Sequence, residues 1–254
     1  MGHMVGKDLF KKVGKKLDSL YMRSPWNEKL YEIIKELYSP EEAELIVKIP
    51  NNLSDIDRIQ KITKYEKKVL EEVLEKACSK GLIMDLWLNG KYYYLPSPLL
   101  IGVFEFSMMR MKDDCESKKL AGLFKNYLEN NIDFCRTNFH KGIKVPPMRS
   151  VPYEESFDPS QFVEVLDYEK ATEIVKSQSK FSISSCACRH QKLHLGQKEC
   201  ANPLDTCSSF GFTADYLIRR GFAKEVSKEE MLNNITRSKE LGLAFNADNV
   251  QNNV

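Results

Sequence analysis

Four cysteines lie close together in the second half of the sequence, whereas the other three are scattered. Cys186, Cys188, Cys200 and Cys207 fall within 22 residues, where an even spread of all seven would place fewer than one. Four thiolates in so short a segment can hold a tetrahedral zinc ion or an iron–sulfur cluster. We assign the scattered cysteines to packing, and these are Cys78, Cys115 and Cys135.

The spacing of the four cysteines favours an iron–sulfur cluster over zinc. Structural zinc sites usually contain two Cys-x2-4-Cys pairs, and neither pair here has that form. Cys186 and Cys188 are separated by one residue, so both sulfurs reach one centre only if the backbone leaves the extended form. Arg189 is the candidate residue beside the cluster, because nearby charge and hydrogen bonds tune a cluster's potential.

Two other interpretations of this segment stay open. His190 and His194 have the i, i+4 spacing of one helix face, so with Cys186 and Cys188 they would make a zinc site. Alternatively, the four cysteines are buried side chains or a redox-active dithiol. The polar neighbours of the histidines, Gln191 and Lys192, are typical of a solvated surface.

The composition is that of a globular protein in a reducing compartment. The 254 residues are 42% hydrophobic and 29% charged, with a formal net charge of +2 that gives no global attraction to nucleic acid or anionic membrane. The odd cysteine count argues against a disulfide framework, so we expect a cytoplasmic protein. The longest apolar run, residues 99–104, is far shorter than the roughly 18 residues of a membrane-spanning helix, so we expect no transmembrane segment.

Residues 5–22 are predicted to form a basic amphipathic helix that docks on the body of the protein. Residues 24–112 are predicted to form a winged helix-turn-helix module, in which a capping box at Ser39 starts one helix and Gly81 ends another. Two apolar runs then meet around Asn89-Gly90, the dipeptide that suits a type I′ hairpin turn. The presumptive recognition helix, Lys64–Lys80, carries nearly as many glutamates as lysines, so we favour a docking role over DNA binding.

Residues 113–160 are predicted to contain a helix over Glu116–Phe139 and then an irregular, proline-rich linker from about 141 to 161. Residues 161–254 form the predicted cysteine-rich metal-cluster region. It contains helices over 168–180, 213–220 and from the capping box at Ser227 to about 241, with a short strand over Phe181–Ser185. The predicted fold class is therefore α+β and predominantly helical.

These residues resemble those of a known family, the 4Fe-4S-binding, ferredoxin-type proteins of anaerobic bacteria and archaea that carry an N-terminal winged-helix region. The resemblance covers most of the chain. It is carried by Ser184–Arg189, Cys200, Pro203, Cys207, Phe210, Ser227–Glu230 and Leu241-Gly242-Leu243, and by Lys80–Ile83, Asn89–Tyr93 and Gly102–Phe106.

The resemblance implies an iron–sulfur redox protein that transfers single electrons within an anaerobic oxidoreductase system, with a redox protein as its partner and the four cysteines as ligands. Such proteins typically continue into a ferredoxin-type, cysteine-rich tail. Because no cysteine follows Cys207, we expect that the chain is truncated at Val254 or lacks that relay.

Two alternatives from other classes stay open. One is a winged-helix DNA-binding regulator that senses redox state or metal through the four cysteines, and the other is a zinc-stabilised interaction module. The sequence contains no glycine-rich nucleotide loop, nucleophile elbow or His-Glu-x-x-His motif, so no catalytic residue is assigned.

Overall fold

The structure is a computed structural model that describes residues 2–110, 112, 114–129, 131–139, 148–151, 153 and 170–248. The chain folds into two compact units, the first of Met1–Lys141 with Ala187–Lys198 and the second of Gly142–Cys186 with Glu199–Val254. Helices predominate and the sheets are small, so the fold is α+β, as predicted. No helix within the described ranges is long and apolar enough to span a membrane.

The chain contains both helices and short strands. The helices are α1 (Gly2–Asp18), α2 (Glu28–Leu37), α3 (Pro40–Lys48), α4 (Ile56–Thr63), α5 (Lys67–Lys80), α6 (Phe104–Met109), α7 (Cys115–Leu128), α8 (Ile132–Phe139), α9 (Ala171–Lys176), α10 (Ala187–His194), α11 (Gly211–Arg219) and α12 (Lys228–Glu240). The strands are β1 (Ser54–Asp55), β2 (Ile83–Leu88), β3 (Lys91–Pro96), β4 (Met148–Val151), β5 (Phe181–Ser185), β6 (Asp205–Phe210), β7 (Lys224–Glu225) and β8 (Phe245–Asp248). A kinked turn over Leu99–Val103 leads into α6.

The first helix, α1, packs on the first unit through one apolar face. Val13 and Leu17 are fully buried in the main core, whereas Lys11 and Lys15 are exposed. The amino group of Lys16 donates to the carbonyl of Ile49, and burial lowers the pKa of that amino group. The basic helix is therefore docked on its own unit, and it ends at Asp18 instead of residue 22.

Local capping starts and ends helices where the sequence predicts. The Ser39 hydroxyl accepts from the N–H of Glu42 while the Glu42 carboxylate accepts from the N–H of Ser39, which completes the capping box of α3. Ser227 and Glu230 form the same reciprocal pair at the start of α12. Gly81 ends α5 with a φ of 79°, a left-handed conformation that glycine adopts without strain.

Strands β2 and β3 form the predicted hairpin. Asn89 and Gly90 have φ values of 50° and 80°, as a type I′ turn requires. β1 pairs antiparallel with the other side of β3, so the sheet order is β1-β3-β2. Leu74 of α5 and Ile83 of β2 are buried in the same core, which joins the helices to the sheet.

Two further predicted helix boundaries in the first unit are wrong. The single helix expected over Glu116–Phe139 is two helices, because α7 ends at Leu128 and the Asn131 side chain accepts from the N–H of Phe134 in the first turn of α8. The helix expected from Lys64 begins only at Lys67, because Lys64 ends α4 in the left-handed conformation with a φ of 60°.

In the second unit, β5 is the central strand of an antiparallel sheet with the order β6-β5-β7, and its bounds match the prediction. Phe181 of β5 packs with Val175 of α9 and Met231 of α12 in a small core. Of the predicted linker over residues 141–161, only β4, which pairs with β8, and Tyr153 lie within the described residues. The predicted helix over 168–180 is the shorter α9, which ends at Lys176 instead of residue 180, and residues 168–169 lie outside the described residues.

Two helical glycines give opposite predictions for the same substitution. A Cβ on Gly14 of α1 would lie 2.2 Å from Cε3 of Trp26, so Gly14→Ala should lower the free energy of unfolding by about 1–3 kcal/mol. A Cβ on Gly122 of α7 meets nothing within 4 Å, so Gly122→Ala should raise it by about 0.5–1 kcal/mol. Urea unfolding of both variants measures these changes. A neutral Gly14→Ala variant would contradict the close contact between α1 and Trp26.

Candidate metal centre

Strand β6, which the sequence does not predict, brings Cys207 next to β5. Cys207 lies directly opposite Ser184, and the register shifts between Ser184 and Ser185. Past this irregularity, the N–H of Cys186 donates to the carbonyl of Leu204 at 2.7 Å. Two of the four predicted ligands, both half-buried, are therefore carried by paired stretches of chain in the second unit.

The sheet face around Cys207 carries buried hydroxyl groups. Opposite residues of an antiparallel pair share a face, as do residues two apart on a strand, so Ser182, Ser184 and Cys207 lie on one face. The two serines are 0% and 4% exposed, and neither hydroxyl has a hydrogen-bond partner among the described residues. A buried hydroxyl without a partner costs free energy. An acceptor on this face, such as a thiolate sulfur, would remove that cost by accepting hydrogen bonds from the two serines.

The chain changes from strand to helix between Cys186 and Cys188. β5 ends at Ser185 and α10 begins at Ala187, so the backbone leaves the extended form, as the Cys-x-Cys spacing requires for a shared centre. α10 belongs to the first unit, where Ala187 is buried and the Gln191 side chain donates to the carbonyl of Ala121 in α7 at 3.1 Å. Cys188 lies on the exposed side of α10.

Cys200 lies in the connection between α10 and β6, in the second unit, and its side chain is exposed. Two residues later, the Asn202 amide donates to the carbonyl of Leu241 at 3.0 Å and anchors this connection beside the end of α12. Arg189, the predicted neighbour of the cluster, is half-buried on α10 in the first unit.

The described residues do not assemble the four cysteines into a complete metal site. Nowhere among them do three or more His, Cys, Asp or Glu side chains stand where they could hold a metal ion together. The donor chemistry, with four cysteines and unused hydroxyls, fits a metal–sulfur centre. The four-ligand geometry stays a prediction from the sequence.

The three scattered cysteines differ in their surroundings. Cys78 is fully buried in α5, which confirms its assignment to packing. Cys115 at the start of α7 and Cys135 in α8 are exposed, so the same assignment is wrong for both. Their helices present these positions to solvent, which agrees with the charged neighbours Asp114 and Glu116 of Cys115 and Arg136 of Cys135.

The histidine pair borders the buried side of α10, although its sequence neighbours are typical of a solvated surface. Nδ1 of His190 lies 2.7 Å from the carbonyl oxygen of Met108 in α6, and its Nε2 lies 3.2 Å from Nε2 of His194. Both side chains are half-buried. Successive residues of an α-helix are rotated by about 100° around the helix axis. Cys188, two residues before His190, therefore projects from a different side of α10 than the two histidines. The helix therefore does not place this cysteine beside the pair, as the alternative zinc site requires.

No protein-family model matches this chain, and no significant similarity to a curated protein or to a solved structure is found. The function therefore has to be inferred from the residues and their arrangement.

Alkylation of the metal-free protein should follow the exposure of its cysteines. The four exposed thiols should react first with iodoacetamide, and these are Cys115, Cys135, Cys188 and Cys200. Cys78 should react only when α5 unfolds, because its side chain is 0% exposed. Peptide mass mapping over time gives the order of modification. Equal rates at Cys78 and Cys115 would contradict the described burial.

Proposed function

We propose that this chain is an iron–sulfur redox protein that carries one 4Fe-4S cluster on Cys186, Cys188, Cys200 and Cys207. The observation that carries the proposal is the concentration of four cysteines within 22 residues. Cys186 and Cys207 are held by the β5–β6 pairing, while Cys188 and Cys200 are exposed and accessible to incoming metal. A cluster of this type accepts four cysteine thiolates and supplies a one-electron couple when bound.

Two features favour an iron–sulfur cluster over structural zinc. The cysteine spacing lacks the paired Cys-x2-4-Cys form that is usual for zinc. The unpartnered hydroxyls of Ser182 and Ser184 share a face with Cys207, and hydrogen bonds to sulfur help to set a cluster's potential. The proposed role of Arg189 is to offset the negative charge of the thiolates from the position next to Cys188.

The electron partner that we propose is another redox protein of an anaerobic cytoplasm. This part of the proposal rests on the resemblance carried by Ser184–Arg189 and the later cysteines. The small net charge of +2 gives no long-range preference for a strongly acidic or basic partner, so recognition would depend on local surfaces.

We infer that residues 24–112 form a winged helix-turn-helix module. Helices α3, α4 and α5 precede the β2–β3 hairpin, which takes the place of the wing. The short strand β1, which lies between α3 and α4, joins the same sheet in the order β1-β3-β2. This combination of helices and hairpin supports the prediction made from the sequence.

Charge pairing in this module favours a docking role over DNA binding. Lys91 in the hairpin pairs with Asp55 at 2.7 Å, and Lys80 at the end of α5 pairs with Glu42 at 2.7 Å. Trp87 and Tyr92 of the hairpin are 49% and 40% exposed and contact each other edge to face. Attraction to phosphates requires uncompensated cations, and glutamates of α5 offset its remaining lysines, so this surface is better suited to protein contacts.

Protein purified without oxygen should contain about four iron and four sulfide per chain, as a 4Fe-4S cluster requires. Cys200→Ser and Cys207→Ser should each lose most of both, because each removes a proposed ligand. Cys115→Ser and Cys135→Ser are matched controls at exposed cysteines outside the segment and should keep full content. Iron and acid-labile sulfide determination measures all four variants.

Two outcomes of the metal and sulfide determination would contradict the proposal. Stoichiometric zinc without sulfide would instead support the zinc-stabilised interaction module. Equal loss of iron in the control variants would show that the four clustered cysteines are not the ligands.

DNA binding separates the docking role from the regulator alternative. Because Lys80 and Lys91 are paired with carboxylates and the glutamates of α5 offset its other lysines, we expect only weak, sequence-independent binding that does not change when the cluster is lost. Fluorescence anisotropy with duplexes of varied sequence, over a range of salt concentrations, measures this. Tight binding to one duplex that falls steeply with salt would instead support the regulator.

A further inference from the structure

The two histidines of α10 are arranged as a pair of ligands. The carbonyl oxygen of Met108 can only accept a hydrogen bond, so Nδ1 of His190 carries a proton and donates to it at 2.7 Å. In the neutral ring this leaves the lone pair on Nε2, the atom that faces Nε2 of His194. A backbone carbonyl that fixes the ring in this way is a common support for a metal-binding histidine.

The separation of the two ring nitrogens matches a shared metal ion. The Nε2 atoms are 3.2 Å apart. Two nitrogens that bind one tetrahedral zinc ion at 2.0–2.1 Å are separated by about 3.3 Å. The separation of the two atoms thus already matches a shared ion, and i, i+4 spacing on one helix supplies it without help from a distant segment.

We propose that His190 and His194 bind a divalent late transition-metal ion such as Zn²⁺ through their Nε2 atoms, at a site in the first unit that is separate from the clustered cysteines. Imidazole nitrogen is a preferred ligand for ions of this group. Two protein ligands leave further coordination positions for water or a small anion, so the site is an open one. This proposal does not depend on the iron–sulfur proposal.

The anchoring of α10 keeps the pair in place. Ala187 and Gln191 hold the helix in the first unit, the latter through its bond to Ala121 in α7. The carboxylate of Asp114, which caps α7, lies near His194 and supplies negative charge. Hydrogen bonds from Ser117, and to a lesser extent the charge of Lys112, lower the pKa of Asp114, so its carboxylate is ionised at neutral pH.

Binding displaces the proton that lies between the two Nε2 atoms. Before binding, the Nε2–H of His194 donates to the Nε2 lone pair of His190. When the metal ion binds, that proton passes to solvent water, and the Nε2 lone pair that it leaves coordinates the ion. His190 keeps its proton on Nδ1 and its bond to Met108.

The test is a titration of the full chain with Zn²⁺ alone, followed through the ring nitrogens of [15N]histidine. The chain has only four histidines, and His3 and His140 serve as internal references. We expect the Nε2 signals of His190 and His194 to shift together and to saturate. His190→Gln and His194→Gln should each weaken this binding at least about tenfold, since even the loss of a supporting partner costs a metal site about 10- to 100-fold. His140→Gln is the control and should bind as the parent does.

A second readout protects the test against variants that fold poorly. Zn²⁺ should raise the melting temperature of the parent chain, because it binds only the folded pair, and should not raise that of His194→Gln. Unshifted signals from both histidines at saturating Zn²⁺, or a shift of only one, would overturn the proposal. Zinc bound at cysteine alone, seen as shifted cysteine Cβ signals with unchanged histidines, would also overturn it. Iron and sulfide content tests the cluster separately.

Discussion

The pairing of β5 with β6 is the constraint on which the proposed cluster site depends. Cys186 and Cys207 are 21 positions apart in the chain, and only this pairing places them on adjoining stretches. Closing a loop of this length costs conformational entropy, which the strand hydrogen bonds and the small core of Phe181 and Met231 must offset. The two half-buried cysteines are thus fixed by the sheet, independently of the residues between them.

The residues between the strands carry chemistry of a different kind. α10 is held in the first unit by polar contacts, from His190 to Met108 and from Gln191 to Ala121. These contacts fix two imidazoles with their ring nitrogens facing each other, while Cys188 stays on the exposed side. The sulfur ligands proposed for iron and the nitrogen ligands proposed for a divalent ion thus lie within one short segment. The β5–β6 pairing holds Cys186 and Cys207, whereas the contacts of α10 hold the two histidines.

Signals that act over a few residues are predictable from this sequence. The capping boxes at Ser39 and Ser227 and the Asn89-Gly90 turn depend only on near neighbours, and the structure contains all three. Strand β6 is not predictable in this way, because its polar residues form a strand by pairing with β5, about 25 positions earlier in the chain. The same limit applies to the site. The sequence identifies the cysteine cluster, but the buried hydroxyls of Ser182 and Ser184 follow from tertiary packing. In the sequence itself, the alternation of apolar residues and serines over residues 181–184 indicates only that the two serines share one face of a strand.

The central claim is that four cysteines share one metal–sulfur centre, and X-ray absorption at the iron edge tests it most directly. We predict that iron in anaerobically purified protein has sulfur alone in its first shell and further iron beyond it, as in a 4Fe-4S cluster. Iron with oxygen or nitrogen neighbours and no second iron would contradict the claim. So would protein that contains no iron and shows sulfur neighbours only around zinc.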